Sequence, residues 1–286
     1  IAHERQPAER PRLVLDQFNA EYLLQRRTAF SDLRRPRSMR ALIGGLYSLV
    51  QWQRLAAYER RMLRRYDCVL AVSSEDRIAL QRLLPTAMIP VIPNGVDMRA
   101  FARTRPLPGG STLIFVGTLD YRPNIDALTW FADEILPLIR SQQPQVTVQI
   151  VGRNAAPAVQ ALAEYEGIEL VGEVDDVRPY LEAAAVYVLP MRIGGGVRLK
   201  LLEAFAMHVP VVSTSLGAEG VEGLQAGEQA LIADNPSHFA AAVLQLLADR
   251  AAATRLSVAA RSLAATYNWA VIAPRLANQY RELHSS

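Results

Sequence analysis

The chain has 286 residues, half of them apolar and 21% charged, which excludes a disordered or collagen-like polypeptide. Its one cysteine excludes an intramolecular disulfide, no Cys/His metal spacing is present, and no apolar run of about eighteen residues could span a bilayer. The net charge of +3 hides an asymmetry, because residues 1–65 carry 14 Arg against six acids. Such a basic region suits anionic lipid, nucleic acid or a phosphorylated substrate, and solvated helix faces are the alternative. The expected setting is the cytoplasm, where a lone thiol stays reduced.

In chain order, residues 1–11 are polar with two prolines and read as a lead-in. Residues 13–15 (LVL) read as a strand, followed by DQFNAEY. Residues 38–66 have a long helical pattern in which Leu42, Leu46, Leu49, Leu55, Tyr58 and Met62 can face a core. Arg54, Arg60, Arg61, Arg64 and Arg65 cluster towards its end. The helix either backs onto a sheet or lies on a membrane. A βαβ unit follows: a buried strand at 68–72 containing Cys68, a helix opened by Ser73 or Ser74, and a short strand at 89–92. Asn94-Gly95 is a turn signal, and Pro106, Pro108, Gly109 and Gly110 mark a linker over 98–110.

Beyond the linker, strands at 113–116, 146–151, 168–171 and 186–189 alternate with helices at 124–140, 155–166 and 178–184. This is the pattern of a doubly wound parallel sheet, whose ligand lies outside the carboxyl ends of the strands. Loops 117–124, 152–154, 172–177 and 190–197 converge there. Helices are expected over 236–248, 250–266 and 269–283.

The most informative stretch is PMRIGGGVRLKLLEAFAMHVPVVST, residues 190–214. It reads as a glycine loop after a buried strand, a helix over 197–207, a stop at Pro210 and the next strand at Val211-Val212. A glycine loop feeding a helix start is an anion site, because the first-turn N–H groups are free and the helix dipole favours negative charge. Of 31 basic residues, Lys200 is the one lysine; a retained point charge among guanidinium groups suggests a site that uses it. Glu203 lies three residues on and shares its helix face, so an ordinary surface pair is the alternative.

GGGVRLKLLEAFAMHVPVVST resembles the donor-binding segment of family 4 retaining glycosyltransferases, which have the GT-B fold. The resemblance continues through VIPNGVD (91–97), FVGTLDYRPN (115–124), IVGRN (150–154) and GEVDDVRPYL (172–181). It covers 67–286 closely and 12–66 more loosely. It implies an α/β fold of GT-B type with two doubly wound Rossmann-like domains: an acceptor-side domain at 1–100, a nucleotide-sugar domain at 101–268, and a helix at 269–286 crossing back. The resembled fold has several strands before a position like Leu13, so the first domain is expected to be incomplete.

The same resemblance assigns roles. A nucleoside diphosphate sugar would be the donor, and a polysaccharide or lipid-linked molecule the acceptor. Arg122 and Lys200 would act on the leaving diphosphate, with Arg198 and the backbone of Gly194, Gly195, Gly196 and Val197. Arg122 as a plain surface residue is the alternative. Many family members carry a basic residue after the loop glycine Gly117, where this chain has Thr118. Glu203 would hold the ribose diol, and Arg153 and Val177 would border the base. A second family Glu is replaced by Gly195, and a family His by Phe18, which leaves Asn19 and Glu21 as acceptor-side candidates, with helix capping as their alternative. No metal and no other cofactor is expected, because basic residues take over a metal's task in this fold. Peripheral membrane contact would use the basic N-terminal region; nucleic acid is not an expected partner. A nucleotide-binding or interaction module that has lost catalysis is the competing reading. A dehydrogenase is disfavoured, since no G-x-G-x-x-G follows the first strand.

Overall fold

The computed structural model describes residues 11–34, 39–196 and 198–285. They fall into two units: one from the described residues of Ile1–Asn94, Gly195–Val197 and Ala270–Ser286, the other from Gly95–Gly194 and Arg198–Trp269.

In the first unit, β1 (Val14–Gln17) leads through α1 (Glu21–Arg34) and α2 (Met39–Leu63) to β2 (Cys68–Ala71), then α3 (Ser74–Leu83). β1 and β2 pair in parallel with Val14 opposite Cys68. β2 is buried along its whole length, as a parallel strand covered on both faces must be. Val69 and Ala71 pack with Leu63, Leu80 and Ile89, whereas Cys68 and Leu70 pack with Leu283. The start of α1 is closed by two buried carboxylates from elsewhere in the chain. Ala20 N donates to Asp76 Oδ1 at 2.9 Å, and Glu21 N donates to Glu59 Oε1 at 2.9 Å. Glu59 is 6% exposed, and its burial pushes the carboxyl up to about 7 although the Tyr22 and Glu21 amides pull it down.

Two expectations for this region are corrected. The strand at 89–92 is reduced to one bridge between Ala71 and Val91, because Pro90 and Pro93 have no N–H to give a ladder. Tyr58, expected in the core, is 56% exposed. The buried face of α2 runs through Ser48, Trp52, Leu55, Glu59 and Leu63, since Glu59 must point inward to reach the α1 amides; Tyr58 then turns outward. The side chains of Leu42 and Leu46 lie outside the described residues.

The second unit carries β3 (Thr112–Val116), α4 (Arg122–Trp130), a π turn (Phe131–Ile135), α5 (Leu136–Arg140), β4 (Thr147–Val151) and α6 (Pro157–Gln160) with a 3₁₀ turn (Ala161–Glu164). β5 (Ile168–Gly172), α7 (Arg178–Ala183), β6 (Val186–Leu189), α8 (Leu199–Ala206), β7 (Val211–Ser213), α9 (Ser215–Ala218) and β8 (Leu231–Ile232) follow. Helices α10 (Pro236–Ala248), α11 (Arg250–Thr266) and α12 (Trp269–Ser285) complete the chain, α12 belonging to the first unit from Ala270 onward. The sheet order is β5-β4-β3-β6-β7-β8, all parallel. Leu113, Ile114, Phe115, Val186 and Tyr187 are fully buried in it.

The helix expected over 124–140 starts two residues earlier and contains the π turn. Pro137 lacks an N–H and its ring clashes with the carbonyl four residues back, so an extra residue in the preceding turn relieves the helix. The helix expected over 155–166 is the short pair α6 and 3₁₀ turn. Ala156 precedes Pro157 and is held extended at φ −63°, ψ 154°, which delays the start.

Candidate functional site

Because all six strands of the second unit run in parallel, the loops after β3, β4, β5 and β6 leave from one edge of the sheet. The strand order turns back at β3: β4 and β5 lie on one side, β6, β7 and β8 on the other. A ligand crevice is expected outside the strand ends at such a switch point, here between the loops after β3 and β6.

The first two loops interlock. Leu119 N donates to Arg153 O at 2.8 Å, and Asn124 Nδ2 donates to Thr118 O at 2.9 Å. Gly152 must be glycine, since a Cβ there would stand 1.7 Å from Gly117 O. Gly117, Thr118 and Arg153 are therefore held together; Arg153 is exposed, and so is Arg122, the first residue of α4. Val177, half-buried, precedes α7 after β5.

After β6 the chain passes Met191 and Ile193, both buried, to Gly194. A Cβ on Gly194 would fall 1.9 Å from Arg198 Nη2, and its φ of +139° is one that side-chain-bearing residues rarely adopt. The guanidinium of Arg198 thus lies over this glycine. The helix starts later than expected, at Leu199, because Arg198 is extended (φ −85°, ψ 94°), and no side chain caps it. Leu199 and Lys200 stand in its first turn, where backbone amides carry the positive end of the helix dipole. Lys200 Nζ binds both oxygens of Glu203, at 2.9 and 3.2 Å. Glu203 is the more enclosed partner, its side chain 16% exposed against 45% for Lys200. The fully buried Tyr187 of β6 lies in the field of Glu203 and Arg198; burial is the main cause that raises its hydroxyl's pKa.

Gly117, Thr118, Arg122, Arg153, Val177, Gly194, Arg198, Lys200 and Glu203 thus share the carboxyl edge of one sheet. Gly195 and Gly196 are grouped with the first unit, where Asn19 Oδ1 stands 2.0 Å from the place of a Gly196 Cβ. Asn19 Nδ2 in turn donates to Glu21 Oε1 at 3.3 Å. Val197 lies outside the described residues. Sequence reasoning missed Arg192, Asp126 and Trp130, which form a cluster beside the glycine loop. The signal was the i,i+4 spacing of Asp126 and Trp130, which places them on one helix face.

Residues 110–249 match the family model described as "Glycosyl transferases group 1". A phosphatidyl-myo-inositol mannosyltransferase of Propionibacterium freudenreichii is 30% identical over 236 residues, covering 77% of this chain and 57% of the relative. The sucrose-phosphate synthase of Thermosynechococcus elongatus superposes with a TM-score of 0.69 at 22% identity, covering 95% of this chain and 68% of that one. The Anabaena protein HepE, solved with UDP and glucose, has a TM-score of 0.69 at 15% identity, covering 95% of this chain and 72% of that one. Residues 110–249, within the second unit, are thus similar to glycosyltransferase group 1 domains, and the structural likenesses give the chain an α/β fold of GT-B type. The chain spans between 35% and 57% of the length of the curated relatives it matches.

Proposed function

We propose that this chain binds a nucleoside diphosphate sugar, with uridine or guanosine as the base, as part of a retaining glycosyltransferase that moves a hexose to a polysaccharide or lipid-linked acceptor. The observation that carries the proposal is the β6–α8 turn. An uncapped helix start, Arg198 over Gly194 and the Lys200–Glu203 pair stand together at the switch point of the sheet. The group 1 domain match and the nucleotide-bearing HepE structure support it.

The chemistry follows from the charges. A diphosphate leaves with growing negative charge, and cations fixed around it lower the barrier. Arg198, Lys200 and the first-turn amides of α8 supply that field, and Arg122 adds to it from the loop after β3. Lys200 Nζ is held by Glu203, so an arriving diphosphate must draw it away. The two ribose hydroxyls then replace it as donors to the Glu203 carboxylate. Donor binding is thereby an exchange of partners that rewards a ligand carrying both a diphosphate and a ribose. The base borders Arg153 and Val177. In a retaining transfer, acceptor and leaving phosphate share one face of the sugar, and the diphosphate itself helps take the acceptor proton. The loop cations neutralise the diphosphate without a divalent metal. Calorimetry of UDP and GDP with and without a chelator tests this; binding that vanishes on chelation would sink the metal-free mechanism.

Asn19 and Glu21 are the acceptor-side candidates in the first unit. Contact with an anionic membrane surface, on the cytoplasmic side, is assigned to α2 and the turn after it, where Arg54, Arg60, Arg61, Arg64 and Arg65 are all exposed. No helix among the described residues is long and apolar enough to cross a membrane. One observation favours a binding module without catalysis: Phe18, 61% exposed, stands at the end of β1 and can neither give nor take a proton. Assays of donor hydrolysis and sugar transfer by the purified chain separate the two readings. Nucleotide binding with neither reaction selects the module.

A further inference from the structure

We infer that Arg192 is a positioning residue of the anion site: with Asp126 it braces the glycine loop against α4, and it is not itself a diphosphate ligand. The function given to the braced loop rests on the reading above; the brace itself does not. An arginine inside a glycine loop is what a diphosphate site would recruit as a ligand. Here its fork is already engaged. Nε donates to Asp126 Oδ2 at 3.0 Å and Nη2 donates to Asp126 Oδ1 at 2.7 Å, a parallel bidentate pair. The guanidinium carbon also lies 5.0 Å from the centre of a Trp130 ring. Both side chains are about three-quarters enclosed, at 24% and 22% exposure, so water and salt screen the pair less than a surface one.

The neighbouring residues are anchored in other directions. Met191 and Ile193 are buried, Thr214 Oγ1 donates to Met191 O, and Gly194 lies beneath the Arg198 guanidinium. Arg192 points instead to α4, the helix that begins at Arg122 directly after the β3 loop. The pair therefore ties the loop after β6 to the helix after β3 and fixes the spacing across the switch point. Through that spacing it sets where the start of α8 faces.

The test compares Arg192→Ala, Asp126→Ala and the double variant by amide hydrogen exchange over residues 191–196 and by titration with UDP and with pyrophosphate. A brace predicts that either single change speeds loop exchange by about 10- to 100-fold, and that the double change adds nothing further. Both ligands then weaken by the same factor in all three variants. If Asp126→Ala leaves pyrophosphate affinity intact or tightens it while Arg192→Ala weakens it, Arg192 is a ligand and the inference is wrong. Unchanged loop exchange in both single variants overturns it equally. If the alanine variants do not fold, Arg192→Gln and Asp126→Asn carry the same comparison with shape preserved. Wild-type chain that binds neither ligand, together with the predicted exchange pattern, upholds the brace and removes the nucleotide reading.

Discussion

The starts of two helices, α1 in the first unit and α8 in the second, solve the same electrostatic problem in opposite ways. Each helix start gathers unpaired N–H groups and a partial positive charge. At α1 the chain brings its own acceptors: the carboxyl groups of Glu59 and Asp76, both buried, accept from the amides of Glu21 and Ala20. At α8 no side chain caps the helix, and two cations, Arg198 and Lys200, sit where a cap would add a negative charge. The first arrangement closes a fold. The second brings no anionic cap, and the proposed function gives that place to a diphosphate.

The largest expected effect comes from breaking the open end. Lys200→Ala removes a charge-assisted contact worth about 1.5–3 kcal/mol, or about 10- to 150-fold in affinity for UDP and pyrophosphate alike. The exposed Lys200–Glu203 pair contributes only about 0–1 kcal/mol to stability, so the melting temperature should hardly move. Lys200→Arg should restore only part of the affinity, because a planar fork replaces a compact charge poorly. Equal titrations for all three proteins would make α8 an ordinary helix.

Breaking the closed end should do the converse. Glu59→Ala leaves the Glu21 and Tyr22 amides without their acceptor, at a cost of about 1–3 kcal/mol in unfolding free energy. UDP affinity should stay unchanged, and a denaturant titration beside calorimetry checks both halves. A smaller effect separates the two parts of a nucleotide. Glu203→Gln keeps the shape but loses the anionic acceptor, about 1 kcal/mol or roughly fivefold for UDP, with pyrophosphate nearly unaffected. Parallel loss for both ligands would contradict the ribose assignment.

The subtlest prediction concerns pH. Glu59 titrates near 7 when folded against 4.5 ordinarily, so between those values the folded chain keeps a proton that the unfolded chain releases. Its contribution to stability is full below about pH 4.5, falls as pH rises, and is gone above about 7. Glu59→Gln cannot titrate, so melting curves near pH 5 and pH 8 should differ less for it than for the wild type. An identical pH dependence would show that Glu59 is hydrated in solution.

How much of this was legible in the sequence depended on how local each cause is. The strands around Leu113 and Val186 announce themselves as apolar runs, and the structure buries them completely. Lys200 and Glu203 are three residues apart on one helix, so spacing alone brings them together. Arg192 and Asp126 are 66 residues apart, and only the adjacency of β3 and β6 makes them neighbours. The inward turn of Glu59 was equally hidden, since its reason is the amides of another helix, and Tyr58 was misplaced as a result. The prolines at 90 and 93 were visible, but the apolar isoleucines and valine around them outweighed the missing N–H groups.

Cys68 has a practical consequence. It is the one cysteine of the chain, 1% exposed in β2, with a thiol whose pKa burial raises. Thiolate reagents should ignore it in the folded protein and reach it when the first unit opens. The rate of its alkylation is therefore a built-in clock for that unit. Tryptophan emission, with Trp130 and Trp269 in the second unit and Trp52 in the first, supplies a second signal. If the two signals separate as denaturant rises, the units unfold one at a time and their stabilities can be measured within a single chain.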